Sequence, residues 1–118
     1  MAVTITEKTY TSMKLIIFDW TSDASGDATG TTTNSYDGGI YGFATDPDGT
    51  AIPTDNYNIT ITDLNSIDVL FNSGLLRDTA NIEYVAEASL GAVSGSTLTF
   101  TVADAGATKK GKAYLYIR

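Results

Sequence analysis

Asp23, Ser25 and Asp27 place oxygen-bearing side chains at alternate positions, as loops that hold a hard cation do. An EF-hand loop opening at Asp23 would need Gly sixth and Glu twelfth, and Ala28 and Asn34 stand there. The simpler account is an Asp-rich turn, in which short polar side chains bond nearby backbone. Asp46 and Asp48, in D-P-D-G, carry the same two readings. A carboxylate pair could hydrolyse a glycosidic bond. With fourteen acids some pair will lie at a workable distance, yet nearly all sit in turns or on wet strand faces, and Asp19 beside Trp20 is the least ordinary. The chain has no histidine and no cysteine. That removes the commonest general base, the usual zinc ligands and every thiolate site. The reading is therefore not an enzyme, with no cofactor, no metal and no catalytic residue assigned.

Two groups of residues suit recognition. Tyr36, Tyr41, Tyr57, Tyr84, Tyr114 and Tyr116 are many for 118 residues, and tyrosine serves both sugar platforms and protein contacts. The last ten residues, KKGKAYLYIR, concentrate positive charge. Before them, fourteen acids face only Lys8, Lys14 and Arg77, leaving −11, whereas the final ten residues carry +4. The candidate partner-binding set is Lys109, Lys110, Lys112, Tyr114, Tyr116 and Arg118. Two readings of the lysines stand side by side: an electrostatic dock for an acidic neighbour, or a guard against edge-to-edge strand pairing.

The elements that must position these residues have a period of two. Val3 and Ile5 alternate with threonines, as do Leu98, Phe100 and Val102, and Tyr57, Ile59 and Ile61 alternate with Asn58, Thr60 and Thr62. Ala113, Leu115 and Ile117 alternate with Lys112, Tyr114, Tyr116 and Arg118. Successive side chains of a strand point to opposite faces, so each segment has an apolar and a wet face. Met13–Trp20, apolar almost throughout, predicts a central strand covered on both sides. Gly39–Thr45 is a further strand, and Ile82–Ala88 suits either a short helix or a strand, with strand preferred and Ile82, Tyr84 and Ala86 on one face against Glu83, Val85 and Glu87. A short additional strand falls at Ile67–Phe71. Turns follow from D-G-G at 37–39, D-P-D-G at 46–49 and N-S-G at 72–74. The pattern predicts an all-β fold: one antiparallel β-sandwich or barrel of about seven to eight strands over residues 1–118. Residues 21–39 form a polar loop available to a partner.

Charge and hydropathy restrict the partners. The net charge of −7 repels phosphate, so nucleic acid is not expected. The longest apolar run, Leu15–Phe18, is far too short to cross a membrane, so no membrane partner is expected. The first eighteen residues lack the basic, apolar, small-residue order of a secretion signal, so no export by that route is expected.

Three stretches taken together resemble the small virion structural proteins of tailed bacteriophages: FDWTSDASGDATGTTTNSYDGGIYGFATDPDG, PTDNYNITITDLNSIDVLFNSGLLRDTAN and LTFTVADAGATKKGKAYLYIR. The shared features are W-T-S-D before a Gly/Thr loop, P-T-D-x-Y followed by a Thr-rich strand, D-V-L, R-x-T-A-N and a final K-K-G strand, from about Phe18 to Arg118. The chain departs from the pattern at 64–67, where L-N-S-I replaces an Asp/Gly turn. The resemblance implies a head decoration or cement protein, made in the bacterial host cytoplasm and located in the virion. Its implied partners are the major capsid protein and copies of itself, with a trimer among the expected oligomers. A tail or neck adaptor that anchors fibres, and a sugar-binding β-sandwich module, are the alternatives.

Overall fold

The computed structural model describes residues 2–118, and it is all-β as expected. Nine strands follow one another: β1 (Ala2–Thr9), β2 (Lys14–Thr21), β3 (Ala28–Thr31), β4 (Tyr36–Pro47), β5 (Asn58–Thr62), β6 (Glu83–Ala86), β7 (Ala92–Ser96), β8 (Thr99–Ala103) and β9 (Lys110–Ile117). A single 3₁₀ turn, Glu87–Ser89, separates β6 from β7. The larger sheet runs β1-β2-β9-β4-β6, and β7 pairs β4 further along the same edge. The smaller sheet runs β3-β8-β5, and every pairing is antiparallel. Two antiparallel sheets closed on one core make a sandwich.

Alternation places the core. Ile16, Phe18 and Trp20 of β2, Ala113, Leu115 and Ile117 of β9, and Phe43 of β4 point inward from the larger sheet. Ile59 and Ile61 of β5 and Phe100 and Val102 of β8 answer from the smaller one. The two layers meet at a stacked pair, Phe18 on Phe100, with ring centroids 4.4 Å apart and planes within 6°. Trp20 and Tyr57 meet beside it at 5.6 Å. At that end Trp20 Nε1 is buried without a hydrogen-bond partner among the described residues, and the buried Tyr57 hydroxyl has only the Thr45 hydroxyl beside it. Burial accordingly pushes the Tyr57 phenol up to about 12.

The wet face of the smaller sheet is a threonine ladder. Thr31, Thr99 and Thr62 stand in one cross-strand row and Thr29, Thr101 and Thr60 in the next. Two of these pairs exchange hydroxyl hydrogen bonds, Thr31–Thr99 at 3.1 Å and Thr29–Thr101 at 3.4 Å. Cross-strand β-branched pairs of this kind support the solvent face of a sheet whose other face is in the core.

Several expectations need correction. The Met13–Trp20 segment is a single-sided strand: Ile16, Phe18 and Trp20 are buried, but Leu15 and Ile17 are only half-buried and Asp19 is exposed. Residues 21–39 are not one loop, because β3 lies inside the tract and pairs with β8. Both remaining pieces are tied down. Ser22 Oγ donates to the Gly106 carbonyl and accepts from the Lys109 amide. At the other end, Glu7 accepts from the amides of Thr33 and Asn34 and from the Tyr36 hydroxyl. Residues 67–71 form no strand; a lone bridge, Thr62 with Asp68, is all the pairing there. The strand near residue 82 covers only Glu83–Ala86, and its inward face carries Val85 while Tyr84 is exposed.

Candidate functional site

β9 is an interior strand, flanked by β2 and β4. Lysines there cannot guard an edge, so that reading of Lys109, Lys110 and Lys112 is overturned by the strand order. The alternation itself holds: Ala113, Leu115 and Ile117 are fully buried, and Lys112, Tyr114 and Tyr116 point outward.

The register converts this strand into the middle of a five-strand face. One cross-strand row reads Thr4, Asp19, Lys112, Asp46. The next reads Thr6, Ile17, Tyr114, Ala44, Tyr84. The third reads Lys8, Leu15, Tyr116, Gly42, Ala86. The centre is thus apolar and aromatic, with Leu15, Ile17, Tyr114 and Tyr116 half-buried and Tyr84 exposed. Gly42 shapes it. A Cβ there would come within 2.7 Å of Tyr84 Cζ, so the missing side chain is what lets the Tyr84 ring lie across β4. Rigid aromatic groups on a flat sheet, with a charged border at one end, suit the anchors of a protein contact.

The charged border is mixed rather than basic. Lys112 stands directly opposite Asp19 on one side and Asp46 on the other. Asp19, Asp46, Asp48, Lys110 and Lys112 line one open cleft. The Asp48 carboxyl is held below its usual range by the amides of Ala51 and Thr50 and, more weakly, by the Lys110 charge. Much of the acidic neighbourhood that the lysines face therefore belongs to the chain itself. Arg77–Glu83, at 3.4 Å, is the one ion pair within contact distance among the described residues.

The six predicted contact residues do not form one cluster. Lys110, Lys112, Tyr114 and Tyr116 share a face of β9. Lys109 lies in the preceding turn, its backbone bound to Ser22. Arg118 lies past the other end of the strand, about 20 Å from Lys112 by strand rise, with its guanidinium 4.9 Å from the Tyr41 ring centroid. Of the six tyrosines, Tyr36 and Tyr57 are internal and Tyr41 sits under Arg118, leaving Tyr84, Tyr114 and Tyr116 on the outer face.

The cation reading has an ordinary explanation in the geometry. Asp23 Oδ1 accepts the amides of Ser25 at 2.8 Å and Asp27 at 3.0 Å, which closes a turn and lowers the Asp23 carboxyl below its usual range. Among the described residues no three His, Cys, Asp or Glu side chains are grouped to hold a metal.

A second exposed apolar surface was not legible in the sequence. The irregular connection 63–82 presents Leu64, Phe71, Leu76 and Ile82 at 72%, 62%, 66% and 69% exposure, together with Ile67. Phe71 and Leu76 lie in the left-handed region at φ 47° and 56°, where an L side chain costs about 1–2 kcal/mol. The connection is nonetheless fixed. Asp63, Asp68 and Asp78 accept backbone amides within it, and the Asn58 side chain accepts the Leu76 amide. The available signal was large apolar residues set among Asp, Asn and Gly, with neither strand nor helix period.

Fold and face together define a small β-sandwich whose larger sheet carries an exposed tyrosine surface. No family model matches the chain, and no curated protein matches it. Among solved structures the chain is similar to one titled "Crystal Structure of FLHE", with 8% identity, 90% of this chain and 97% of that chain covered, and a TM-score of 0.43. A likeness that slight carries no argument about function.

Proposed function

We propose that this protein is a structural component of a tailed-bacteriophage particle, of the head decoration type, and that it binds the assembled shell through the outer face of its larger sheet. The observation that carries the contact role is the cross-strand arrangement of Ile17, Tyr114 and Tyr84 beside Leu15 and Tyr116, an aromatic surface left uncovered by the sandwich. The assignment to a phage head rests on the motif resemblance between Phe18 and Arg118. The role is passive. A protein that binds only the assembled lattice stabilises it by mass action, and repeated sites raise avidity. The partners are the major capsid protein and further copies of this chain, and the location is the virion.

The test is direct. Purified protein added to expanded heads lacking it is expected to co-sediment with them and raise their disruption temperature, and Tyr114→Ala with Tyr116→Ala is expected to abolish both effects. Binding to tails or necks in place of heads would move the protein to the adaptor role. Glycan binding lost in the same double variant, without head binding, would replace the proposal with a sugar-binding module.

A further inference from the structure

The sandwich has several strand edges, and they are treated differently. The free side of β5 is covered by residues 68–77, which bond to it through Val69 N to Ile61 O, Ile59 N to Gly74 O and Arg77 N to Tyr57 O. β3 and β6 are short, at four residues each. β7 pairs with β4 across a register shift between Tyr36 and Gly38. β1 is unlike all of them. It is eight residues long, pairs β2 in unbroken register, and among the described residues has no strand on its other side. Its sequence, AVTITEKT, contains no proline and a single lysine near one end. A long, regular edge whose only charges, Glu7 and Lys8, sit near one end presents a row of unused amides and carbonyls, which is a template for another strand.

We propose that β1 pairs with β1 of a second copy, antiparallel about a two-fold axis through Ile5, so that two larger sheets become one. Directly opposed side chains in an antiparallel pair lie on the same face. The register that keeps inward residues opposite inward ones and centres on Ile5 sets Ile5 against Ile5, Thr4 against Thr6 and Val3 against Glu7. No like charges are opposed. Glu7 is the one acid on the strand, and its carboxylate is turned aside and occupied by Thr33, Asn34 and Tyr36. Val3 and Ile5 are already packed against the core, so the strand is held in place before any partner arrives. Sliding the axis to Thr6 would replace the central Ile5–Ile5 pair by Ile5 opposite Glu7 and set Thr4 opposite Lys8. A two-fold contact of this kind is closed and self-complementary, giving a dimer and not a filament. It would also place the two tyrosine faces on the same side of one sheet, which deepens the proposed shell-binding role without depending on it.

The test uses the whole chain. Sedimentation equilibrium from ~1 to ~100 µM is expected to show a reversible dimer at twice 12.5 kDa. Thr4→Lys with Thr6→Lys brings four lysines together across the axis, while within the chain the new charge at position 4 faces Asp19, and is expected to weaken the dimer at least ~10-fold with the β-sheet circular dichroism unchanged. Because the chain has no cysteine, Thr4→Cys with Thr6→Cys is expected to form a covalent dimer on mild oxidation, since opposed Cα atoms fall in disulfide range. A wild-type monomer or trimer over that range, a dimer indifferent to the lysine pair, or a cysteine variant that stays monomeric under oxidation would each overturn the proposal. Head binding by a strictly monomeric protein would reject this inference and leave the proposed function standing.

Discussion

Glu7→Gln removes a charge from the point where β1 holds the 32–36 segment. In the wild type the carboxylate accepts the Thr33 amide at 3.0 Å, the Asn34 amide at 3.1 Å and the Tyr36 hydroxyl at 2.6 Å. Burial alone would raise this carboxyl, but the hydrogen bonds from Tyr36, Thr33 and Asn34 together outweigh it and leave it below 4.5. The Tyr36 phenol is raised in turn, by burial and by Glu7. A glutamine has one oxygen and a donor where two acceptor oxygens stood, so at least one amide faces another donor. A bond to a charged group contributes about 1.5–3 kcal/mol when buried; half-exposed as Glu7 is, the expected loss is about 1–2 kcal/mol, or roughly 3–8 °C in Tm for a chain of this length. The pH dependence follows from the direction of the shift. A depressed folded pKa means that the contribution is complete above the unfolded value near 4.5 and disappears as pH falls through the folded value. The deficit of Glu7→Gln should therefore be full at pH 7 and smaller at an acid pH where the folded carboxyl is protonated. Urea unfolding at both pH values reads it. Equal stability at pH 7, or a deficit that survives unchanged in acid, would refute the reasoning.

Three further predictions concern other parts of the fold. Gly111→Ala would set a Cβ 2.7 Å from Cζ2 of the fully buried Trp20, and is expected to cost about 2–3 kcal/mol by overpacking, read as a lower denaturation midpoint. Phe71→Asn replaces an exposed side chain at φ 47° with a residue that tolerates that conformation, so stability should hold or rise by up to ~1 kcal/mol while any association through 63–82 weakens. Lys112→Glu would set three acids in one cross-strand row with Asp19 and Asp46, and should destabilise by ~0.5–1 kcal/mol, with much of that loss recovered in ~1 M salt.

The strands were legible where one face is dry and the other wet. Ile59 and Ile61, Phe100 and Val102, and Ala113, Leu115 and Ile117 are buried as their spacing requires. Strand order was not legible, because alternation fixes faces and says nothing of neighbours. That is why β9 read as a possible edge and why its lysines carried two readings. The apolar run Leu15–Phe18 misled for a related reason: Leu15 and Ile17 are not under a second layer but on the tyrosine face, and a strand that supplies both a core and a contact surface looks like a doubly buried one. Within 21–39, β3 hid because Ala-Thr-Gly-Thr carries too little apolar signal, and it forms by pairing its threonines with those of β8. Tyr84 became meaningful only through its register with Ala44 and Tyr114.

The central claim, that the chain is a shell protein of a phage head, is tested most directly by counting it. Quantitative mass spectrometry of purified particles of the encoding phage should find the chain in the head at on the order of hundreds of copies, in fixed ratio to the major capsid protein, as a lattice-bound component must be. A ring-like number of roughly six to twelve per particle, or absence from the particle altogether, would contradict it.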